Sequence, residues 1–450
     1  MKAEHHKYAL AEVPRYTSYP TAVQFSDGIS EADYRLWLAQ IAPGEPLSLY
    51  VHIPFCQKMC WYCGCHTTVA HTYDRVGTYA QDMLAEIDLL AAALPEHHGG
   101  LAHVHFGGGS PTMLTDTDFA AITAKILSAF GPRADMELAI EIDPRTMSAQ
   151  KACALAKAGV TRASLGVQDF NPHVQEKINR IQPFELVRDT VDWLREAGVQ
   201  AINFDLIYGL PGQSVKDVKH STELAISLRP DRLAVFGYAH VPWFKKHQEM
   251  IKQEDLPGME ERFAEASMVG QVLEGAGYVA VGFDHYAHPD DSMAKAVMAG
   301  TLRRNFQGYT TDTADTMLGL GASSIGALGP GYVQNAPALD QWRKAIHAGK
   351  LPITRGVALA GEDAMRRAAI MTVMSTMALD LNAHTAAFGA ADGALDDALE
   401  KLMPLAVDGL VNIDGHKITV TPQGRVFVRN IGASFDTHWQ MSAGRHSRAV

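Results

Sequence analysis

Four of the chain's five cysteines fall within ten residues, Cys56-Gln-Lys-Met-Cys-Trp-Tyr-Cys-Gly-Cys65. Cys56, Cys60 and Cys63 stand at spacings of four and three, directly after the apolar run Leu47 to Pro54, and Cys65 follows two residues later. Thiolates packed this densely select soft metals, so zinc and an iron–sulfur cluster are the two candidates. Structural zinc usually takes its ligands from two separated pairs, because the ion then staples two chain segments. Here one loop carries all four thiols, and only Gly64 separates Cys63 from Cys65, an awkward spacing for a single tetrahedral ion. Three thiolates on one loop suit a cubane with one iron left open. Cys56, Cys60 and Cys63 are therefore the candidate metal ligands, with a four-cysteine zinc site as the alternative.

The rest of the composition narrows the setting. With 450 residues, 47% hydrophobic and 20% charged, the chain has the make-up of a soluble globular enzyme. It holds no apolar run of membrane-spanning length, and the polar start Met1 to His6 has no signal-peptide core. The fifth cysteine, Cys153, stands alone in a helical pattern and reads as a small buried filler, so no disulfide framework exists. These features predict a cytoplasmic protein in a reducing compartment. The formal charge of −11, without a basic stripe or tail, argues against nucleic acid as partner. Any anionic substrate needs arginine and lysine gathered locally. Most of the twenty histidines are scattered singly and read as structural.

From Leu47 onward, short apolar strands alternate with helices. The pattern predicts strands at Leu47–Pro54, His103–Gly108, Glu137–Asp143, Arg162–Gln168, Ala201–Tyr208 and Arg232–Tyr238. Helices are predicted at Tyr73–Leu94, Asp116–Phe130, Ala149–Ala158, Pro183–Ala197 and Ser214–Ser227, three of them followed by a glycine in cap position. Such alternation implies an α/β fold, a parallel sheet with right-handed crossovers, and a site at the carboxyl ends of its strands. The conspicuous residues fall there: Gly107-Gly108-Gly109-Ser110 after the second strand, Glu141 and Asp143 after the third, Gln168 and Asp169 after the fourth, Asp205 on the fifth. Carboxylates and amides at buried strand ends are costly unless paired, which makes them site candidates, with loop capping as the plainer role.

The flanks differ. Pro14-Arg-Tyr-Thr-Ser-Tyr-Pro-Thr-Ala, with two prolines and two tyrosines, predicts an extended N-terminal arm. Lys246 to Gly300 reads as helical and charged, and Gly319 to Gly331 as a glycine-rich apolar segment. Gly356 to Val450 is alanine-rich and helical, then alternates around Asp414-Gly415, a hairpin signal. Four regions follow: an N-terminal arm (1–45), the strand–helix repeat (46–245), a helical and glycine-rich stretch (246–350), and a mostly helical, winged-helix-like end (351–450); the resemblance given below implies that the second is a barrel, the third closes it and the arm is a lid.

The Cys-x3-Cys-x2-Cys spacing with Tyr62 before the last cysteine resembles the radical S-adenosylmethionine (SAM) enzymes. In that superfamily three cysteines hold a [4Fe–4S] cluster and SAM chelates the fourth iron. The resemblance implies a partial (β/α)6 barrel. Further motifs narrow it: the Pro14–Ala22 arm, His52-Ile-Pro-Phe-Cys, Cys65, Phe106-Gly-Gly-Gly-Ser-Pro-Thr, Asn203-Phe-Asp-Leu-Ile-Tyr-Gly-Leu-Pro-Gly-Gln, Arg303-Arg-Asn-Phe-Gln-Gly-Tyr-Thr-Thr and Arg429-Asn-Ile. Together they look like the oxygen-independent coproporphyrinogen III oxidases (dehydrogenases) of haem biosynthesis, over nearly the whole chain. Ser110 stands where that family often has threonine, and Gly432-Ala433-Ser434 is softer than usual.

That resemblance implies oxidative decarboxylation of two propionates of coproporphyrinogen III to vinyl groups, giving protoporphyrinogen IX. It implies one [4Fe–4S] cluster on Cys56, Cys60 and Cys63, and two SAM molecules. The first SAM would touch Tyr50, Gly108 and Glu141. The second would touch Tyr62, Gly109, Ser110, Gln168, Arg180, Asp205, Ala239 and Ile325, with Arg180 pairing its carboxylate. Tyr50, Cys65 and Arg15 are the candidate catalytic residues, and the glycine-rich 319–331 segment would close the barrel mouth. The arm would close over the porphyrinogen, Arg15 meeting its carboxylates and the tyrosines its ring edge. The expected protein is a monomer served by an electron donor and an acceptor that the residues do not identify. A haem-binding chaperone on the same barrel is the rival, and the arm and Cys65 count against it.

Overall fold

Leu47–Ile53 (β1) is buried almost throughout, which is why it reads as a continuous apolar run and not as an alternating one. Leu101–Gly108 (β2) and Arg232–Gly237 (β6) are buried over much of their length, Pro132–Ile142 (β3) only in its second half, and Arg162–Gln168 (β4) and Ala201–Tyr208 (β5) largely alternate buried with half-buried residues. In this computed structural model, which describes residues 2–439, the six strands are parallel and hydrogen-bonded in chain order. The helices Tyr73–Ala91, Asp116–Phe130, Ala149–Lys157, Phe184–Ala197, Val215–Ser227 and Met259–Gly275 follow them in turn. Gly131 and Gly198, at φ 66° and 104°, end two of these helices in conformations closed to most side chains. The architecture is the parallel α/β arrangement that the alternation predicts, consistent with the partial barrel that the resemblance implies.

The sheet runs on past both ends of the six. Val279–Val281 (β7) and His285–Ala287 (β8) add an antiparallel pair beyond β6. Thr316–Leu320 (β9) joins β1 in parallel, and Ile325–Leu328 (β10), Gly331–Asn335 (β11) and Ile353–Ala358 (β12) continue antiparallel. The twelve strands run β12-β11-β10-β9-β1-β2-β3-β4-β5-β6-β8-β7. One expectation changes here. The stretch 246–300 is not helical throughout, because β7 and β8 interrupt it. The glycine-rich segment 319–331 runs from the end of β9 through β10 to the start of β11, where glycines let strands approach closely: a Cβ on Gly331 would stand 2.1 Å from the Val357 carbonyl.

The C-terminal part packs three helices (Asp363–Thr376, Leu381–Ala387 and Asp396–Val407) against a three-stranded sheet. Its hairpin, Val411–Asp414 with Lys417–Val420, turns at Asp414-Gly415 as the alternation predicts.

The arm is extended, but its tyrosines do not wait for a ligand. Tyr16 and Tyr19 are 1% and 0% exposed, inside the apolar core of the C-terminal part with Ile370, Val373 and Phe435. Tyr16 Oη donates to Asp436 at 2.9 Å, and Arg429 Nε donates to the Pro14 carbonyl at 3.1 Å. The N-terminal arm and the C-terminal helices thus share one core, so the tyrosine rings cannot offer faces to a tetrapyrrole. Cys153 also departs from expectation: it lies exposed on its helix.

Candidate functional site

The thiol loop leaves the carboxyl end of β1 and is gripped along its backbone. Asn179 Nδ2 donates to the Met59 carbonyl (2.8 Å), Gln248 Nε2 to Tyr62 (2.9 Å), His247 to Cys63 (2.7 Å) and Lys245 Nζ to Cys65 (2.9 Å). The side chains of Cys60 and Cys56 are held as well. Arg145 Nη2 and Arg180 Nη1 approach Cys60 Sγ at 3.5 and 3.6 Å, and Thr67 Oγ1 lies 3.2 Å from Cys56 Sγ. A hydrogen bond from Cys65 draws the Cys63 thiol down to about 6, and the same bond pushes Cys65 up. Burial pushes the Cys56 thiol up. Cys56, Cys60 and Cys63 thus stand on one loop, with arginines beside Cys60 and Lys245 and His247 near Cys63, which fits a cysteine-held iron–sulfur cluster. Cys65 serves as partner to one of the three.

Beside the loop, three glycines make room. A Cβ on Gly107 would stand 2.7 Å from Glu141 Oε1, one on Gly108 2.7 Å from the His52 ring, and one on Gly109 2.4 Å from Thr67 Oγ1. Gly108, at φ 118°, also donates its N–H to Glu141 Oε2 at 3.1 Å. Glu141 receives His105 Nε2 at 3.2 Å, His105 stacks on Tyr50, and Tyr50 Oη meets His52 Nδ1 at 3.0 Å. Register explains the grouping: β1 sets Tyr50 beside His105 of β2, and two residues further Glu141 of β3. Burial, with Glu141 adding to it, keeps the Tyr50 phenol protonated. Asp205 stands across the barrel, level with Gly166 of β4, with Ser164 Oγ 3.4 Å away. Burial first, and Glu141 second, raise its carboxyl to about 7.

Arg180 is the hub between the loop and the barrel. Its Nη2 donates to the Gly166 carbonyl at 2.6 Å, its guanidinium meets Asp143 at 3.4 Å, and its Nε is buried without a partner. Asp143 is held more closely by Arg145, at 2.6 Å. Gln168 adopts φ 67°, a strained conformation at the exit of β4. Tyr62 packs with Trp61 and Tyr238, and Ala239 follows Tyr238 at the end of β6.

Three of the predicted residues already have partners within the chain. The Ser110 hydroxyl is turned to Thr112, 3.0 Å away and buried, so only its backbone borders the loop. Ile325 packs with Phe25 and Tyr332 in a separate apolar cluster. Asp169 is a structural hub: Asn171, Gln213 and Ser221 all donate to it.

A cavity of about 800 Å³ opens beyond Tyr238 and Ala239. Five arginines line it: Arg15, Arg262, Arg304, Arg425 and Arg429, among Tyr208, Phe236, Phe283 and Tyr286. The arm's backbone positions Arg15, whose Nη2 reaches the Gly237 carbonyl at 3.4 Å. Arg304 lies over Tyr309 (4.6 Å) and Phe283 (5.6 Å), and Arg425 over Tyr286 (6.0 Å). Arg304 Nη1 and Arg425 Nη2 are buried without hydrogen-bond partners. Burial, with Arg15 nearby adding to it, lowers the Arg429 pKa to about 9. A bound carboxylate relieves that cost. Of the five, only Arg15 is assigned a role by the sequence. Arg304 and Arg429 sit within recognisable motifs without one, and Arg262 and Arg425 carry no local signal.

Comparison with known proteins agrees with this geometry. Residues 50–225 match the radical SAM superfamily and residues 359–427 the HemN C-terminal domain. The chain is 45% identical to the oxygen-independent coproporphyrinogen III oxidase of Bradyrhizobium diazoefficiens, covering 98% of each chain. It is 40% identical to that of Paracoccus denitrificans, covering 98% of this chain and 97% of the other. The solved structure of Escherichia coli coproporphyrinogen III oxidase, described as a radical SAM enzyme, superposes with a TM-score of 0.90 at 37% identity, covering 96% of this chain and all of that one. A thiol triad beside a glycine cradle, on a barrel matched along almost its whole length, places this chain in the oxygen-independent coproporphyrinogen III oxidase family of radical SAM enzymes.

Proposed function

We propose that the protein converts coproporphyrinogen III to protoporphyrinogen IX by oxidative decarboxylation of two propionate side chains, in haem biosynthesis. The observation that carries the substrate is the cavity with its five arginines, in a chain whose formal charge is −11. A substrate with four carboxylates needs such a concentration of cations, and guanidinium groups stacked on aromatic rings pair with carboxylates at fixed angles. Arg15, Arg304 and Arg425 hold propionates, and Tyr208, Phe236 and Phe283 flank the macrocycle.

Cys56, Cys60 and Cys63 would hold the [4Fe–4S] cluster, which together with SAM would supply radical chemistry at the propionate β-carbon. Glu141 and the Gly108 N–H face the first SAM with Tyr50. A second SAM lies against Tyr62, Gly109, Ser110, Gln168, Arg180, Asp205 and Ala239, with Ile325 offering backbone only. Arg180, with one N–H unpartnered, receives a carboxylate there. Tyr50 and Cys65 border the reacting region, the phenol as a neutral donor and Cys65 as the partner that keeps Cys63 a thiolate. Residues 46–245 carry the cofactors, 246–350 extend the sheet and wall the cavity, and 2–45 with 351–439 close it from the far side. One chain completes the cavity, which supports a monomer. All five cysteines are free, which supports a reducing, cytoplasmic setting. No helix among the described residues is long and apolar enough to cross a membrane.

Anaerobic incubation with coproporphyrinogen III, SAM and dithionite tests the reading. Protoporphyrinogen IX and 5′-deoxyadenosine are expected. Stoichiometric haem binding without any decarboxylated product would favour a chaperone instead.

A further inference from the structure

Among the arginines of the cavity stands an acid whose ion pair lies elsewhere. Asp284 lines the cavity at the turn between β7 and β8, and its side chain is 12% exposed. Its one ion pair among the described residues is with His285, whose Nδ1 donates to Oδ1 at 2.6 Å. No described residue donates to its other oxygen, Oδ2. The carboxylate is also held in place. The Asp284 carbonyl receives the Val235 N–H of β6 at 2.7 Å. The His285 ring meets those of Phe236 (5.7 Å) and Tyr309 (5.2 Å) nearly at right angles. Tyr309 fills the space of a side chain at Gly282, where a Cβ would lie 1.9 Å from its ring. Burial opposes ionisation of Asp284, but His285, Arg304 and Arg15 outweigh it and hold the carboxyl below its ordinary range. A carboxylate oxygen in so enclosed a place is costly until a donor reaches it.

Ionised coproporphyrinogen has its four carboxylates at the rim and, as its only hydrogen-bond donors, four pyrrole N–H groups at the centre. Its saturated bridge carbons let the pyrroles tilt, so that several N–H groups point to one face. Oxidised coproporphyrin is flat, and its two remaining N–H groups point inward in the ring plane. Rim and centre thus ask for opposite charges, and the cavity holds both.

We propose that Asp284 accepts the pyrrole N–H groups of the porphyrinogen and so selects the reduced macrocycle over the oxidised porphyrin. The inference rests on the substrate reading above. The plainer role is a counter-charge that offsets repulsion among Arg15, Arg304 and Arg429. In that role, removing the acid would tighten the binding of both macrocycles alike, since both are tetra-anions. Two other acids line the cavity, Glu12 and Glu274. Glu274 is exposed, whereas Glu12 on the N-terminal arm has a buried Oε2 without a hydrogen-bond partner, so Glu12 is the comparison to make.

The test uses the iron-loaded protein with SAM and no reductant, under strict anaerobiosis, so that nothing turns over. Equilibrium dialysis gives the Kd of coproporphyrinogen III and of coproporphyrin III. The parent should prefer the porphyrinogen by about tenfold or more, as hydrogen bonds to a charged group allow. In Asp284→Asn the amide keeps the shape and turns its oxygen to His285. This variant should bind the porphyrinogen about tenfold more weakly and the porphyrin no more weakly than the parent. Porphyrin binding thereby doubles as the check on folding, and Asp284→Ser gives the same comparison should the amide disturb it. Glu12→Gln should keep the parent's preference. Two affinities that change equally in a folded Asp284 variant, tighter or weaker, would overturn the proposal. So would a parent without the preference, or a preference that Glu12→Gln abolishes and Asp284→Asn retains. A parent that binds neither macrocycle would bring down the substrate reading, and this proposal with it.

Discussion

At the scale of single residues, the thiol loop separates ligands from neighbours. Replacing Cys56, Cys60 or Cys63 with alanine should remove most of the bound iron, because two thiolates hold a cubane poorly. Cys65→Ala should keep its iron, since Cys65 acts on Cys63 through a hydrogen bond. Iron analysis after anaerobic reconstitution checks both, and equal loss in Cys65→Ala would contradict the assignment. Arg180 has a different standing. Asp143 keeps Arg145 if Arg180 is lost, so the loop has a second guanidinium to lean on. Arg180→Ala should therefore spare the cluster and weaken SAM binding by roughly 1.5–3 kcal/mol, or about ten- to a hundredfold, as a charge-assisted pair to a carboxylate is worth. Equilibrium dialysis gives both stoichiometry and affinity. One SAM per parent chain would contradict the two-SAM reading.

At the scale of elements, one helix decides how β1 ends. Glu86 on Tyr73–Ala91 is 1% exposed and receives the Gly321 N–H (2.7 Å) and Asn335 Nδ2 (2.7 Å). Tyr79 on the same helix donates to the His52 carbonyl at 2.8 Å and receives the Ala322 N–H. The turn between β9 and β10 is thereby pressed onto the end of β1, just before the thiols. Burial raises the Glu86 carboxyl from its ordinary 4.5 to about 7. The folded state thus holds this proton more tightly than the unfolded chain does. The stability it contributes is full below about pH 4.5 and is lost as pH rises through about 7. The difference in unfolding free energy between the parent and Glu86→Gln should therefore fall across that window, by at most about 1.4 kcal/mol per pH unit. Urea titrations at several pH values measure it; a pH-independent difference would show that Glu86 does not titrate there.

At the scale of the whole molecule, the N-terminal arm ties the two ends of the chain together. Ala9, Val13, Tyr16 and Tyr19 are core residues of the C-terminal part. Removing residues 2–25 should destabilise that part and cause aggregation, and Tyr16→Ala alone should cost about 3–5 kcal/mol, as large core truncations do. Arg15→Ala should leave stability nearly unchanged, because its side chain borders the cavity, while raising KM for coproporphyrinogen. Thermal melting beside steady-state kinetics separates the two. A truncated protein that melts like the parent would show that the arm only covers the site.

Local signals in the sequence were enough for the barrel. Strand and helix periods lie within single elements, and the predicted limits of β4 and β5 match residue for residue. The thiol loop was legible for the same reason: a ligand set carried on ten residues needs no fold to assemble it. What lies between distant segments was not legible. The glycines of 319–331 show no reason for their number until a neighbouring strand comes close enough to require them. Asp169 looks like a ligand until Asn171, Gln213 and Ser221 satisfy it. The five arginines of the cavity stand at positions 15, 262, 304, 425 and 429, and no periodicity connects them. Periodicity reports which face of an element is buried; it does not report which buried faces meet. Bringing those charges together against their mutual repulsion is the work of tertiary packing, through the arm, the hairpin and the C-terminal helices, and only there does the acidic chain acquire a place for a polyanionic substrate.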